Sequence, residues 1–202
     1  MSTIGDQIIS DFRNFISEFK SETDRAIVVL TAARLDYLLL SILQKRLIPN
    51  TSKSDEFFEN QGPGSSFSNK IMLSYRMGLI DRDFTRALHL VRSIRNDFAH
   101  ETSVCSLERG SHKDRVNTLV APYRKLKFFS YFKNEFIGNV QPSREDFMTV
   151  VGFLILRLHY LYENLDAIND SDAWPVINDN MKNFVEPPKQ VTTAQTSSGG
   201  TK

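Results

Sequence analysis

The chain has 202 residues, and its 25 basic and 24 acidic side chains leave a net charge of +1, which excludes a globally polycationic nucleic-acid binder. Its 41% hydrophobic and 24% charged residues are those of a globular protein long enough to bury a core without staples. A single cysteine, Cys105, excludes an internal disulfide or a paired-cysteine metal site and predicts a reducing, cytoplasmic setting.

Ile4, Ile8, Phe12, Phe15 and Phe19 recur at helical spacing and predict an amphipathic helix over 2–20. That stretch carries acids and is not expected to act as a signal peptide. Ser21 with Asp24 resembles a capping box and predicts a second helix over 22–48. Ile27, Val28, Leu30, Leu35, Leu38, Leu39, Ile42 and Leu43 make it apolar on most faces, which predicts a central position. Arg34 and Asp36 interrupt this run, and Arg157 interrupts the apolar run 150–158, so no membrane partner is expected. The polar stretch 50–64, ending in Gly62-Pro63-Gly64, predicts a loop. It is not a phosphate loop, because no Gly-Lys-Ser/Thr follows.

A short helix over 66–77 should end at Gly78, and Asp81 should cap the next helix, 82–101. Residues 102–142 read as irregular, with Gly110, Pro122, Gly138 and Pro142, and with 123–133 as either a strand or a short helix. Ser143 followed by Asp146 predicts the start of a last long helix, 144–168, rich in Phe147, Val150, Val151, Phe153, Leu154, Leu158 and Leu161. The expected fold is all-α, a bundle of four to five helices in a domain 1–171 with 22–48, 82–101 and 144–168 at its core. Pro187-Pro188 and the Thr/Ser/Gly-rich end predict a flexible tail over 172–202.

The helix 82–101 carries the chemistry. On a wheel of about 100° per residue, Phe84, Ala87, Val91, Ile94 and Phe98 fall on one side. Arg82, Thr85, His89, Arg92, Asn96 and His100 fall opposite, with Arg95 at the boundary beside Ala99. A solvated, cationic helix end interacting with the dipole is one reading of this stripe. A phosphate site is the other: arginine grips phosphate oxygens at two points, and a histidine titrating near neutrality can move the proton of a ribose 2′-hydroxyl.

Residues 109–133 hold seven basic side chains against the single Asp114, and aromatics interleave with Arg124, Lys125 and Lys127. Such a mixture suits phosphate contact with base stacking, so those three residues are candidate RNA contacts. Phe128, Phe129 and Phe132 are better read as packing, with lysine stems lying over them. His89, His100, His112 and His159 lack paired-ligand spacing, so neither metal nor cofactor is expected. His159 reads as a partly buried packing residue, and nothing near Cys105 marks it as an activated nucleophile.

Gly62-Pro63, Met72-Leu73-Ser74-Tyr75, Gly78-Leu79-Ile80-Asp81-Arg82 and then Arg95 and His100 resemble the MtlR family, named for the mannitol operon repressor. The resemblance runs without gaps over about 40 residues, 62–101, and more weakly through 22–48. It implies a regulator. The helices 66–77 and 82–101 make no basic recognition helix, so action through a protein or nucleotide partner is the more natural form. Separately, Arg95-Asn96-Asp97-Phe98-Ala99-His100 is similar to the Arg-polar-x-x-x-His signature of HEPN domains, small and often dimeric helical bundles. That resemblance implies an endoribonuclease whose site is formed by Arg95, Asn96 and His100, usually across a dimer cleft. Arg92 and His89 would flank it as RNA contacts. The reading taken forward is a metal-independent endoribonuclease, a homodimer acting as a toxin or defence-like effector; the alternative is a non-catalytic MtlR-like regulator.

Overall fold

In the computed structural model, which describes residues 4–102, 104–137 and 140–168, the densest apolar stretch of the sequence becomes the central helix. Helix α2 (Asp24–Arg46) packs against α3 (Phe67–Arg76), α4 (Arg82–His100) and α7 (Pro142–Asn164). Ile27, Leu35, Leu39, Ile42 and Leu43 on it have no exposed surface. By length and composition α2 is apolar enough to cross a membrane; here α3, α4 and α7 pack on it and half of its most apolar stretch is buried. Leu30 and Tyr37 remain exposed, at 49% and 59%.

The described residues form seven α-helices and no strand, so the all-α expectation holds with more helices than the four to five expected. The three expected core helices are α2, α4 and α7. Helix α1 (Ile4–Phe19) packs on α7, with Ile16 and Phe19 buried and the Phe15 and Phe19 rings edge to face at 4.3 Å. The described residues belong to one unit, Met1–Ile168. The second unit, Asn169–Lys202, holds the expected tail and its 171/172 boundary, and lies outside the described residues.

Helix boundaries follow capping chemistry. The α2 cap is Thr23, whose hydroxyl accepts from Ala26 N at 3.2 Å, and not Ser21 as expected. Asp24 turns outward from its own helix, accepting from Leu107 N at 2.9 Å and pairing with Arg144. Ser66 caps α3, accepting from Asn69 N at 3.1 Å. Gly78, at φ +71°, closes α3 as expected: its N–H reaches Tyr75 O and that of Leu79 reaches Ser74 O, both at 2.9 Å. This is a paired Schellman closure, and it needs a residue at ease with positive φ. In the loop after α2, a Cβ at Gly62 would lie 2.0 Å from Glu56 O, so only glycine fits there.

The largest departure lies between α4 and α7. Residues 102–142 are not irregular: they hold α5 (Gly110–Val120), α6 (Lys127–Phe132) and a π-helical turn, Lys133–Ile137. The α5 sequence opens on glycine and contains Val, Asn and Thr, poor helix formers without packing. Its one short apolar set, Val116, Leu119 and Val120, is buried against α4 and α7, and that packing makes the helix. Helix α7 likewise starts elsewhere than expected, at Pro142 in the first turn. Ser143 does not cap it. The Glu108 carboxylate takes that place, accepting from Ser143 N at 2.6 Å, Ser143 Oγ at 2.9 Å and Arg144 N at 3.2 Å.

Candidate nucleic-acid site on helix α4

Asp81 starts α4 as expected, its carboxylate accepting from Phe84 N at 2.8 Å. That hydrogen bond holds the Asp81 pKa below its usual value against the opposing effect of burial, and Arg157, 3.3 Å away, adds to it. The apolar side is buried as the wheel predicts, with Phe84, Ala87, Val91, Ile94 and Phe98 at 3% exposure or less. Thr85, placed on the polar stripe by the wheel, is buried too, because its hydroxyl turns back to donate to Asp81 O at 2.8 Å.

The last two turns separate their residues into two sets. Arg95 and His100 are exposed and Asn96 is half-buried. Arg95 Nη1 donates to Asn96 Oδ1 at 2.9 Å, so the first two motif residues form one unit. His100 has no side-chain hydrogen bond or ion pair among the described residues. The intervening positions do the opposite. Asp97 forms an ion pair with Arg115 of α5, Phe98 is fully buried against the His112 ring at 4.5 Å, and the Glu101 carboxylate meets His112 Nε2 at 3.0 Å. From α2, Arg25 donates to Glu101 O at 2.6 Å, satisfying a terminal carbonyl of α4, and to Cys105 Sγ at 3.2 Å. Arg25, Arg115 and His112 are therefore the residues that hold the motif end. Sequence reading missed them because they come from other elements and carry no pattern of their own.

A cleft of about 420 Å³ opens between the end of α4 and the start of α5, lined among others by Asp97, Glu101, Cys105, Arg109 and His112. Its lining contains none of Arg95, Asn96 and His100, which stand on open surface beside it. His89 and Arg92, the flanking candidates, are half-buried on α4. Burial, aided by the Arg92 charge, holds the His89 pKa below its usual value and so keeps that ring neutral near pH 7. Arg92 Nε is buried with no hydrogen-bond partner among the described residues.

The second set of candidates divides differently. Arg124 Nη2 donates to Asp146 Oδ2 at 2.7 Å and to Asn117 Oδ1 at 2.9 Å, so its charge is engaged within the fold. Lys133 Nζ sits 3.0 Å from both Glu145 and Asp146. Burial alone would push the Lys133 pKa down, but these carboxylates reverse that and raise it. Lys125 and Lys127 are exposed with no ion pair among the described residues. Their segment begins at Tyr123, whose buried phenol is pushed up to about 12 chiefly by desolvation, with Arg157 opposing and Asp81 and Asp83 adding. Tyr123 thus lies near the N-terminal end of α4, far along the helix from His100. Phe129 is buried and Phe132 packs against the core, as expected of them; the Phe128 side chain lies outside the described residues. His159 is half-buried, 3.2 Å from Arg34.

No cluster of three or more potential metal ligands occurs among the described residues. No family model, curated protein or solved structure matches the chain.

Proposed function

We propose that this protein is a HEPN-type, metal-independent endoribonuclease, acting in the cytoplasm as a toxin or defence-like effector. One observation carries the reading: over the last two turns of α4 and its cap, Arg95 and His100 are exposed, with Arg95 held by the half-buried Asn96, while Asp97, Phe98 and Glu101 are bound into the fold. The Glu101 carbonyl at this helix end is met by Arg25 from α2 rather than by Arg95 or His100.

Arg95, oriented by its hydrogen bond to Asn96, binds the non-bridging oxygens of the scissile phosphate. The Asn96 amide nitrogen remains a donor toward the same group. His100 takes the proton of the ribose 2′-hydroxyl as that oxygen attacks phosphorus. The bond from phosphorus to the 5′-oxygen breaks, the leaving oxygen takes up a proton, and the products are a 2′,3′-cyclic phosphate and a 5′-hydroxyl end. Arg92 adds positive potential along the helix.

Arg95 and His100 lie about 140° apart around an ideal helix. A homodimer that apposes two α4 ends brings Arg95 of one copy to His100 of the other and encloses a site that a single chain leaves open. The test is cleavage of labelled RNA in EDTA. Wild type should cleave, and His100→Ala and Arg95→Ala should each lose a factor of roughly 100 or more. Mixing the two variants should restore on the order of a quarter of the activity if the site is shared across a two-fold axis. Absence of cleavage on several RNAs overturns the catalytic reading in favour of a non-catalytic, MtlR-like regulator acting through a protein or nucleotide.

A further inference from the structure

Beyond the motif, α4 carries two arginines that the proposed chemistry leaves without a role. Arg82 and Arg86 are exposed and have no hydrogen bond or ion pair among the described residues. Positions 82, 86, 89, 93, 96 and 100 all fall within about 40° of one line along the helix. Arg82, Arg86, His89, Ser93, Asn96 and His100 therefore form a single row about 27 Å long. No acid lies on it. Asp83 and Asp97 sit to one side, and Asp97 is paired with Arg115, as Asp81 is with Arg157.

Resting on the endoribonuclease reading, we infer that this row is the substrate track: a single strand of RNA lies along α4, its phosphates held by Arg82 and Arg86, and its scissile bond delivered to His100 at the end of the row, where the second copy brings its Arg95. The two cations, Arg82 and Arg86, are one turn apart at one end of the row and match successive phosphates of one strand. Beyond the arginines, His89, Ser93 and Asn96 offer uncharged hydrogen-bonding groups to sugar and base edges, which only an unpaired strand turns outward. The cleavage chemistry agrees. Attack by a 2′-oxygen requires that oxygen, the phosphorus and the 5′-oxygen to line up, and the regular A-form backbone holds them out of line. A flexible strand reaches that geometry. Arg82 and Arg86 act as positioning residues, remote from the bond that breaks.

The test separates this inference from the reading beneath it. The full chain bearing His100→Ala is titrated in EDTA, by fluorescence anisotropy, into a labelled 20-nucleotide oligouridine and into a 20-base-pair RNA duplex, at 50 and at 200 mM salt. Oligouridine should bind more tightly than the duplex. Adding Arg82→Gln and Arg86→Gln should reduce the slope of log affinity against log salt by about 1.4, which over this salt range is a roughly sevenfold loss of salt sensitivity. Lysine at both positions should keep the slope, and thermal melting should be unchanged because both side chains are exposed. An unchanged slope in the glutamine variant, or a duplex bound as tightly as the single strand, overturns the track. If wild type cleaves RNA while either of those results holds, the endoribonuclease reading survives and the track alone is wrong. If the parent protein binds neither RNA, the track falls, and the endoribonuclease reading falls with it only if wild type also fails to cleave RNA.

Discussion

Two charged regions of this molecule look alike in sequence and are used in opposite ways. Helix α4 and the 108–146 region both combine arginines, acids and aromatic residues. On α4, Arg82, Arg86, Arg95 and His100 are exposed, and none of them forms a hydrogen bond or ion pair with another helix among the described residues. In the other region, Glu108 caps α7, while Arg124 and Lys133 converge on Asp146, a residue only 7% exposed. A charge at a helix–helix seam is costly unless paired, so seam charges become structural. The same charge on an exposed face needs no partner and stays available to a ligand.

That contrast can be broken most directly by exchanging the insult. Asp146→Ala leaves the ammonium of Lys133 partly buried with only Glu145 beside it, and should lower unfolding stability by about 2 kcal/mol. Arg95→Ala should change stability by no more than about 0.5 kcal/mol. Chemical denaturation of both variants checks this, and a destabilised Arg95→Ala protein would mean the motif is structural after all. Asp81 tests the boundary between the two regions, since it caps α4 and also holds Arg157. Asp81→Ala should cost about 1 kcal/mol through the lost cap, with RNA cleavage retained once the protein is folded.

The smallest expected effect is at His89. Its folded pKa lies below its usual value, first through burial and then through Arg92, so the unfolded chain binds the proton more readily. Its contribution to stability is complete above the ordinary histidine pKa and is lost as pH falls through the folded value. His89→Gln should flatten the decline of melting temperature between about pH 7.5 and 5.5 relative to wild type. An unaltered decline would place His89 in solvent, and on the same footing as Arg82 and Arg86.

The readable parts of the chain were those governed by local rules. Gly78 closes α3 and Asp81 opens α4 because a left-handed turn and an N-cap need those residue types whatever surrounds them. The inward side of α4 followed from spacing alone, and so did the outward position of His100, whereas spacing left Arg95 at the boundary and the structure exposes it. Ser21 and Ser143 were misread as caps because nearby residues, Thr23 and Glu108, reach the exposed N–H groups in their place. Helix α5 was missed because its apolar set is too short to be periodic.

Apolar periodicity was enough to dictate an all-α chain with α2, α4 and α7 at its centre, because burying a helical stripe is the dominant local demand on such a sequence. Tertiary packing decided the rest. It made α5 a helix against α4 and α7, and it turned Arg124 inward to Asp146 while leaving Lys125 exposed. It also fastened the motif end through Arg25, Arg115 and His112, whose partners lie on other helices. An ionised side chain chooses its partner by distance in three dimensions, and residues 76 apart in sequence, such as Arg25 and Glu101, become neighbours only when the core has formed.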